Sequence, residues 1–234
     1  MQKARIPSPD KLWRNIEERI IEVISIALTM LQQESSLPRK EDEINPKLCV
    51  KLRKANYDLW SKGRGLLSSP FCEAPNQPLT EEDINSPHIN KKPDIQWGIT
   101  NPSEEDYEKA YKFYAIECKR LGDPPSDSWI LNENYMKKGI LRFIKKEHSY
   151  GKFTPSGAMV GYIQSMELDD ILKEVNGYLQ EESLAEIVLP FSGWNKNGVS
   201  RLEQCLERSE VPPSPFDLRH LWVDLRNNYH NQKN

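Results

Sequence analysis

The stretch Lys112-Phe113-Tyr114-Ala115-Ile116-Glu117-Cys118-Lys119 constrains this chain more than any other. It is dense in aromatic and β-branched residues and reads as the strongest strand in the sequence. Alternation along a strand sets Glu117 and Lys119 on one face, about 6.6 Å apart, with Tyr114, Ile116 and Cys118 turned the other way, toward a core. A carboxylate and an ammonium on a strand of this buried type cost stability unless they are paired or used. Whatever fold the chain adopts must give them partners.

One partner is suggested by the preceding apolar run. Pro93-Asp94-Ile95-Gln96-Trp97-Gly98-Ile99 reads as a second strand, with Pro at its first position, where a missing N–H does least harm. If the two strands pair as a hairpin, Asp94 approaches Glu117 across the ladder. Two clustered carboxylates repel and ask for a cation, and hard oxygen ligands suit Mg²⁺. A lysine beside such a metal can orient or help deprotonate a water, which completes the parts of metal-assisted phosphodiester hydrolysis. Glu117-Cys118-Lys119 is the only acid-x-Lys triplet in the chain. The competing expectation is a surface strand carrying an Asp–Lys–Glu ladder with no chemistry.

Around this centre the periodicities predict a mixed α/β (α+β) protein. Residues 9–34 read as an amphipathic helix through Leu12, Ile16, Ile20, Ala27 and Leu31, suited to packing or to a dimer contact. A break at Ser35–Pro38 precedes a second helix over 41–61, in which Pro46 is awkward. Residues 63–92 read as loop with a helical turn near 80–84. Further on come a helix over 132–147, a strand over 158–163 and a helix over 168–180. Apolar runs at 187–191 and 218–225 read as strands, and Gly193–Gly198 as a turn.

A chain of 234 residues accommodates one substantial domain, here 37–234, with residues 1–36 as a helical extension. No apolar run is long enough for a membrane anchor, so no membrane partner is expected. The cysteines Cys49, Cys72, Cys118 and Cys205 form no CxxC pair, which favours reduced thiols and a cytoplasmic setting. Net charge is −3, which argues against a strongly basic DNA binder, yet basic residues are concentrated locally. From Lys137 to Lys152 six basic residues face one acid, Glu147. Lys138, Arg142 and Lys145 or Lys146 repeat at helical spacing and could follow a phosphate backbone, as could Arg120. The plainer expectation for these residues is a solvated helix face.

Pro93-Asp94, the strand-borne Glu117-Cys118-Lys119 and the acidic helix start Glu41-Asp42-Glu43-Ile44 together resemble the PD-(D/E)XK nuclease superfamily. The resemblance covers about residues 37–165 well and the C-terminal third loosely. It implies the restriction-endonuclease-like core, a central mixed β-sheet flanked by helices, here with an N-terminal helical extension. It implies that Asp94, Glu117 and the Cys118 carbonyl bind Mg²⁺, with Mn²⁺ able to substitute, and that Lys119 activates the attacking water. It also implies a metal-linked helix carboxylate, with Glu41 ranked before Glu43 because Glu41 shares the inward face of Ile44 and Leu48. The expected activity is DNA endonuclease cleavage in a setting such as anti-phage defence. A partner protein would supply target recognition or control, and a homodimer is compatible. The alternatives are a catalytically inactive scaffold subunit and a Holliday-junction or repair nuclease.

Overall fold

The structure, a computed structural model, describes residues 9–229 apart from 102–103 and 196–197. Residues 1–8 of the expected extension and the centre of the expected 193–198 turn therefore lie outside the described residues.

The chain opens with two helices, α1 (Pro9–Gln32) and α2 (Glu41–Trp60). Glu41, Asp42 and Glu43 occupy the first turn of α2, where the helix dipole favours acids. Pro46 lies inside α2, where its ring removes one backbone donor. A short strand, β1 (Pro70–Cys72), and two single 3₁₀ turns, Glu81–Asn85 and Pro87–Asn90, follow in the region expected to be loop. Three residues are too few for a strand period to show. Next come β2 (Ile95–Thr100), the one-turn helix α3 (Tyr107–Ala110) and β3 (Tyr111–Leu121). The expected 132–147 helix is a continuous run of α4 (Leu131–Tyr135), a π-turn (Met136–Ile140) and α5 (Leu141–Ile144). The chain then forms β4 (Ser156–Ile163), α6 (Leu168–Glu181), β5 (Val199–Leu206) and β6 (Phe216–Asp224).

All six strands join one mixed sheet in the order β1-β2-β3-β4-β6-β5. β3, β4 and β6 run parallel at its centre, and the antiparallel partners β1, β2 and β5 flank them. Helices cover both faces. Ile20, Ile24 and Leu28 of α1 and Leu48 and Leu52 of α2 pack against Tyr114, Ile116, Cys118, Val160 and Tyr162. Tyr135, Ile140 and Phe143 of the α4–α5 run and Ile171, Val175 and Leu179 of α6 pack against Ala115, Leu121, Met159 and Trp222. β4, at the centre, is buried along its whole length, as a parallel strand covered on both faces must be.

Two expectations are corrected. Residues 187–191 do not form a strand: Val188 makes one isolated bridge to Glu203, and Phe191 is exposed. The strand of that region is β5, whose inward Leu202, Gln204 and Leu206 alternate with exposed Arg201, Glu203 and Cys205. Gln204 hid that alternation, since an amide reads as polar; it is buried because its side chain meets His220 and the Ala185 carbonyl. His220 is itself a buried core histidine, also bonded to the Tyr135 hydroxyl at 2.8 Å. The second correction concerns the thiols. Cys49 of α2 and Cys72 of β1 form a disulfide, and only Cys118 and Cys205 are free. Their separation of 23 residues carries no pairing signal; the packing of β1 beside α2 brings them together. Among the described residues, no helix is long and apolar enough to cross a membrane.

Candidate active site

The hairpin of β2 and β3 sets Ile95 opposite Ile116, which brings Asp94, immediately before β2, to the level of Glu117. Asp94 Oδ2 accepts the Cys118 backbone N–H at 2.7 Å and lies 3.6 Å from Lys119 Nζ. Lys119 Nζ is the hub of the arrangement. It lies 2.7 Å from Glu117 Oε1 and 2.7 Å from Glu41 Oε1, and it donates to the Cys118 carbonyl at 2.6 Å. Glu41 comes from the first turn of α2, while Glu43 pairs instead with exposed Lys40. Arg142, from α5, makes a second ion pair with Glu117 Oε1. Asp94, Glu117, Lys119, Glu41 and the Cys118 carbonyl, singled out from the sequence, thus converge.

The π-turn gives Lys119 its close packing against the helix. A Cβ at Gly139 would collide with Met159 and stand 3.3 Å from Lys119 Cγ, so a glycine lets the turn lie against the lysine stem.

Electrostatics at the site follow from burial. Glu117 is 0% exposed. Burial pushes its carboxyl up to about 8, reinforced by the Asp94 charge, against the downward pull of Lys119 and Arg142. Burial likewise raises Glu41 above the usual carboxylate range. For Lys119 burial works against the charged form, yet Glu117, Asp94 and Glu41 together raise it above the usual lysine range. Lys119 is therefore an ammonium at every physiological pH, whereas Glu117 titrates near neutrality.

Among the described residues, no three Asp, Glu, His or Cys side chains stand as a ready cage for a metal ion. The cation on which the carboxylates converge is the Lys119 ammonium. The groups present nevertheless fit a hard divalent cation in kind, since Asp94, Glu117, Glu41 and the Cys118 carbonyl all offer oxygen. Glu117 Oε2 is buried and has no hydrogen-bond partner among the described residues, a costly state that a cation would relieve.

A cleft of about 410 Å³ opens beside the cluster. Lys40, Glu41, Lys119, Arg120, Lys138 and Arg142 line it, together with Trp129 and Asn134. Of the phosphate-binding candidates, Arg120, Lys138 and Arg142 face this cleft. Lys145 does not, because the helix ends at Ile144 and Lys145 is the extended C-cap residue. Other members of the basic run are engaged elsewhere: Lys137 pairs with Glu133, and Lys152 with Asp83. The basic side of the cleft is thus narrower than the charge count implied. Arg142 differs from its expectation in touching Glu117 itself.

Sequence reasoning missed Trp129, Tyr150 and Asn134. Tyr150 is buried where the charges of Glu117 and Arg142 reach its hydroxyl. The one available signal for Trp129 was an aromatic in a Pro-, Ser- and Asp-rich loop that needs no core residue. A larger groove of about 920 Å³ lies between α1 and the segments 192–195 and 198–201, lined by Ser25, Thr29, Gln33, Trp194, Asn195 and Arg201 among others. No carboxylate lines it among the described residues, and its hydroxyls at Ser25 and Thr29 donate to their own helix.

Comparison of the chain with protein-family models, with curated proteins and with solved structures finds no significant match.

Proposed function

We propose that this protein is a metal-dependent endodeoxyribonuclease of the PD-(D/E)XK type, using Mg²⁺ or Mn²⁺ to hydrolyse DNA phosphodiesters and leave a 5′-phosphate. The observation that carries this reading is the convergence of Asp94, Glu117, Glu41 and the Cys118 carbonyl on Lys119 at the edge of a cleft lined by Arg120, Lys138 and Arg142. Asp94, Glu117 and the Cys118 carbonyl would hold the divalent ion, with Glu41 in support. When bound, such an ion supplies neutralisation of charge on the scissile phosphate and a more acidic water.

The chain's own groups do the rest. The positive charge of Lys119 orients the dipole of the attacking water and opposes the negative charge developing on the phosphate. Glu41 and the Cys118 carbonyl fix where the ammonium sits. Arg142 keeps Glu117 paired, and the Cys118 N–H fixes the Asp94 carboxylate. Arg120 and Lys138 grip flanking phosphates. The role we assign to such a nuclease is one such as anti-phage defence, with a partner protein supplying target recognition.

A second reading, a scaffold subunit with a structural ion cluster, draws on one observation: Lys119 already neutralises the carboxylates without any metal. One assay separates the two. Supercoiled plasmid incubated with Mg²⁺ or Mn²⁺ is expected to be nicked and linearised, and chelation to stop the reaction. Asp94→Asn is expected to slow cutting by about a hundredfold, since an amide is a poor ligand for a hard cation. Equal cutting by wild type and variant would overturn the site assignment; intact plasmid under every condition would favour the scaffold.

A further inference from the structure

We infer that Trp129 is a stacking platform for an unpaired nucleobase, so that the preferred substrate is DNA with a single-stranded segment at the scissile phosphate. The inference deepens the nuclease reading above and rests on it for the class of substrate.

Trp129 is 41% exposed, although tryptophan is usually among the most buried side chains on average. It lines the same cleft as Glu41, Lys119 and Arg120. Its position is built rather than incidental. The Trp129 backbone N–H closes a turn by donating to the Ser126 carbonyl at 3.0 Å, and residues 126 and 129 form an isolated bridge. The base of this loop is fastened by buried Asn132, whose Oδ1 accepts the Gly122 N–H at 3.0 Å and whose amide donates to Glu174 at 2.8 Å. At the other side of the loop, the Asp123 N–H donates to Ser165 Oγ at 2.8 Å. The Lys138 ammonium stands 3.8 Å from the centre of the indole ring.

This pairing matches one nucleotide. The Lys138 ammonium covers one face of the ring, so a base stacks there as Lys138 moves from the indole onto the nucleotide's phosphate, beside Arg120; stacking of this kind is tolerant of sequence because every base has a π-face. In an intact duplex those faces are covered by neighbouring bases, so an indole reaches one only where a nucleotide is unstacked. A single strand, an overhang, a flap or a branch supplies that along the strand, whereas a blunt duplex offers only the outer faces of its two terminal pairs.

The test is binding of fluorescently labelled oligonucleotides to the full chain, read by anisotropy with EDTA present. The probes are a single strand, a duplex bearing a single-stranded flap, and a blunt duplex of equal length. Wild type is expected to bind the first two about tenfold or more tightly than the blunt duplex. Trp129→Ala is expected to weaken the single strand and the flap about tenfold more than the blunt duplex, so that the preference is lost, and Trp129→Tyr to retain most of it. Equal weakening on all three probes, or no change on any, would overturn the inference, as would a wild type without preference. Plasmid cleavage with Mg²⁺, run on the same preparations, separates the two readings. A Trp129-dependent preference without cleavage of any substrate fells the nuclease assignment and leaves the platform; cleavage with no Trp129 effect does the reverse.

Discussion

Lys119→Met is expected to lower DNA cleavage by about a hundredfold to a thousandfold, the scale of losing a preorganised positive charge at the reacting phosphate. The same substitution is expected to destabilise the protein, and in a pH-dependent way. Methionine keeps the stem that packs beside Gly139 but leaves Glu117, Asp94 and Glu41 without their common cation. Removing one partner of a buried ion pair costs about 3–5 kcal/mol when the remaining charge has no escape. Here the escape is protonation. Glu117 already holds its proton up to about pH 8, and without Lys119 its folded-state pKa rises further. A carboxyl whose pKa is higher folded than unfolded lends stability below the unfolded value and loses it as pH rises through the folded one. The deficit of the variant should therefore be small at about pH 5 and grow only as pH rises above about 8, where the wild-type carboxyl ionises against Lys119 and the variant's has no such partner. Thermal melting at about pH 5 and at about pH 10 reads it, with a shift of several °C expected at the upper value. An equal shift at both would mean that Lys119 does not serve as the counter-ion of the cluster.

Arg208→Met is expected to produce a comparable loss of stability, about 3–5 kcal/mol, at a position with no place in the chemistry. Arg208 is 2% exposed and is buried without a carboxylate among its hydrogen-bond partners. Burial pulls its pKa below the usual arginine range, with no neighbouring charge acting the other way. Its guanidinium donates instead to the carbonyls of Phe143, Tyr150, Gly151, Thr154 and Pro213, and stacks 3.7 Å from the Phe216 ring centre. It thereby ties the loop after α5 to the loop before β6. Methionine preserves the apolar contact with Phe216 but abandons five acceptors, and buried acceptors without donors carry the desolvation cost in full. Arg208→Lys, with three donors on one nitrogen, should recover only part of the loss. A melting point within about 2 °C of wild type for Arg208→Met would show that water replaces the guanidinium at no cost.

Legibility in the sequence divides along the range of the interactions. β3 was readable because its own residues carry the strand signal, and the shared face of Glu117 and Lys119 follows from two-residue alternation alone; that this face is also buried follows from the helices packed on both sides of the sheet. Asp94 was readable only on the assumption that two strands consecutive in the chain pair antiparallel, which the register of Ile95 opposite Ile116 realises. Glu41 rather than Glu43 was readable from helical phase. By contrast, the grip of Arg142 on Glu117 depends on how the α4–α5 run crosses the sheet, and the π-turn beneath it leaves no periodic trace. Trp129 showed nothing locally beyond its presence in a loop. β5 was missed in favour of residues 187–191 because its burial of Gln204 depends on His220 and Ala185, residues at a distance in sequence.

The sequence by itself determined the mixed α/β class and the strand that carries Glu117 and Lys119, because those follow from side-chain periods of two and 3.6 residues. Only the tertiary structure decided that Lys119 is the hub of three carboxylates, that Arg142 belongs to Glu117, that Cys49 meets Cys72, and that Trp129 lines the cleft. Each of these joins groups from separate elements, and their meeting is set by how helices and sheet pack as solid bodies, which no local spacing encodes.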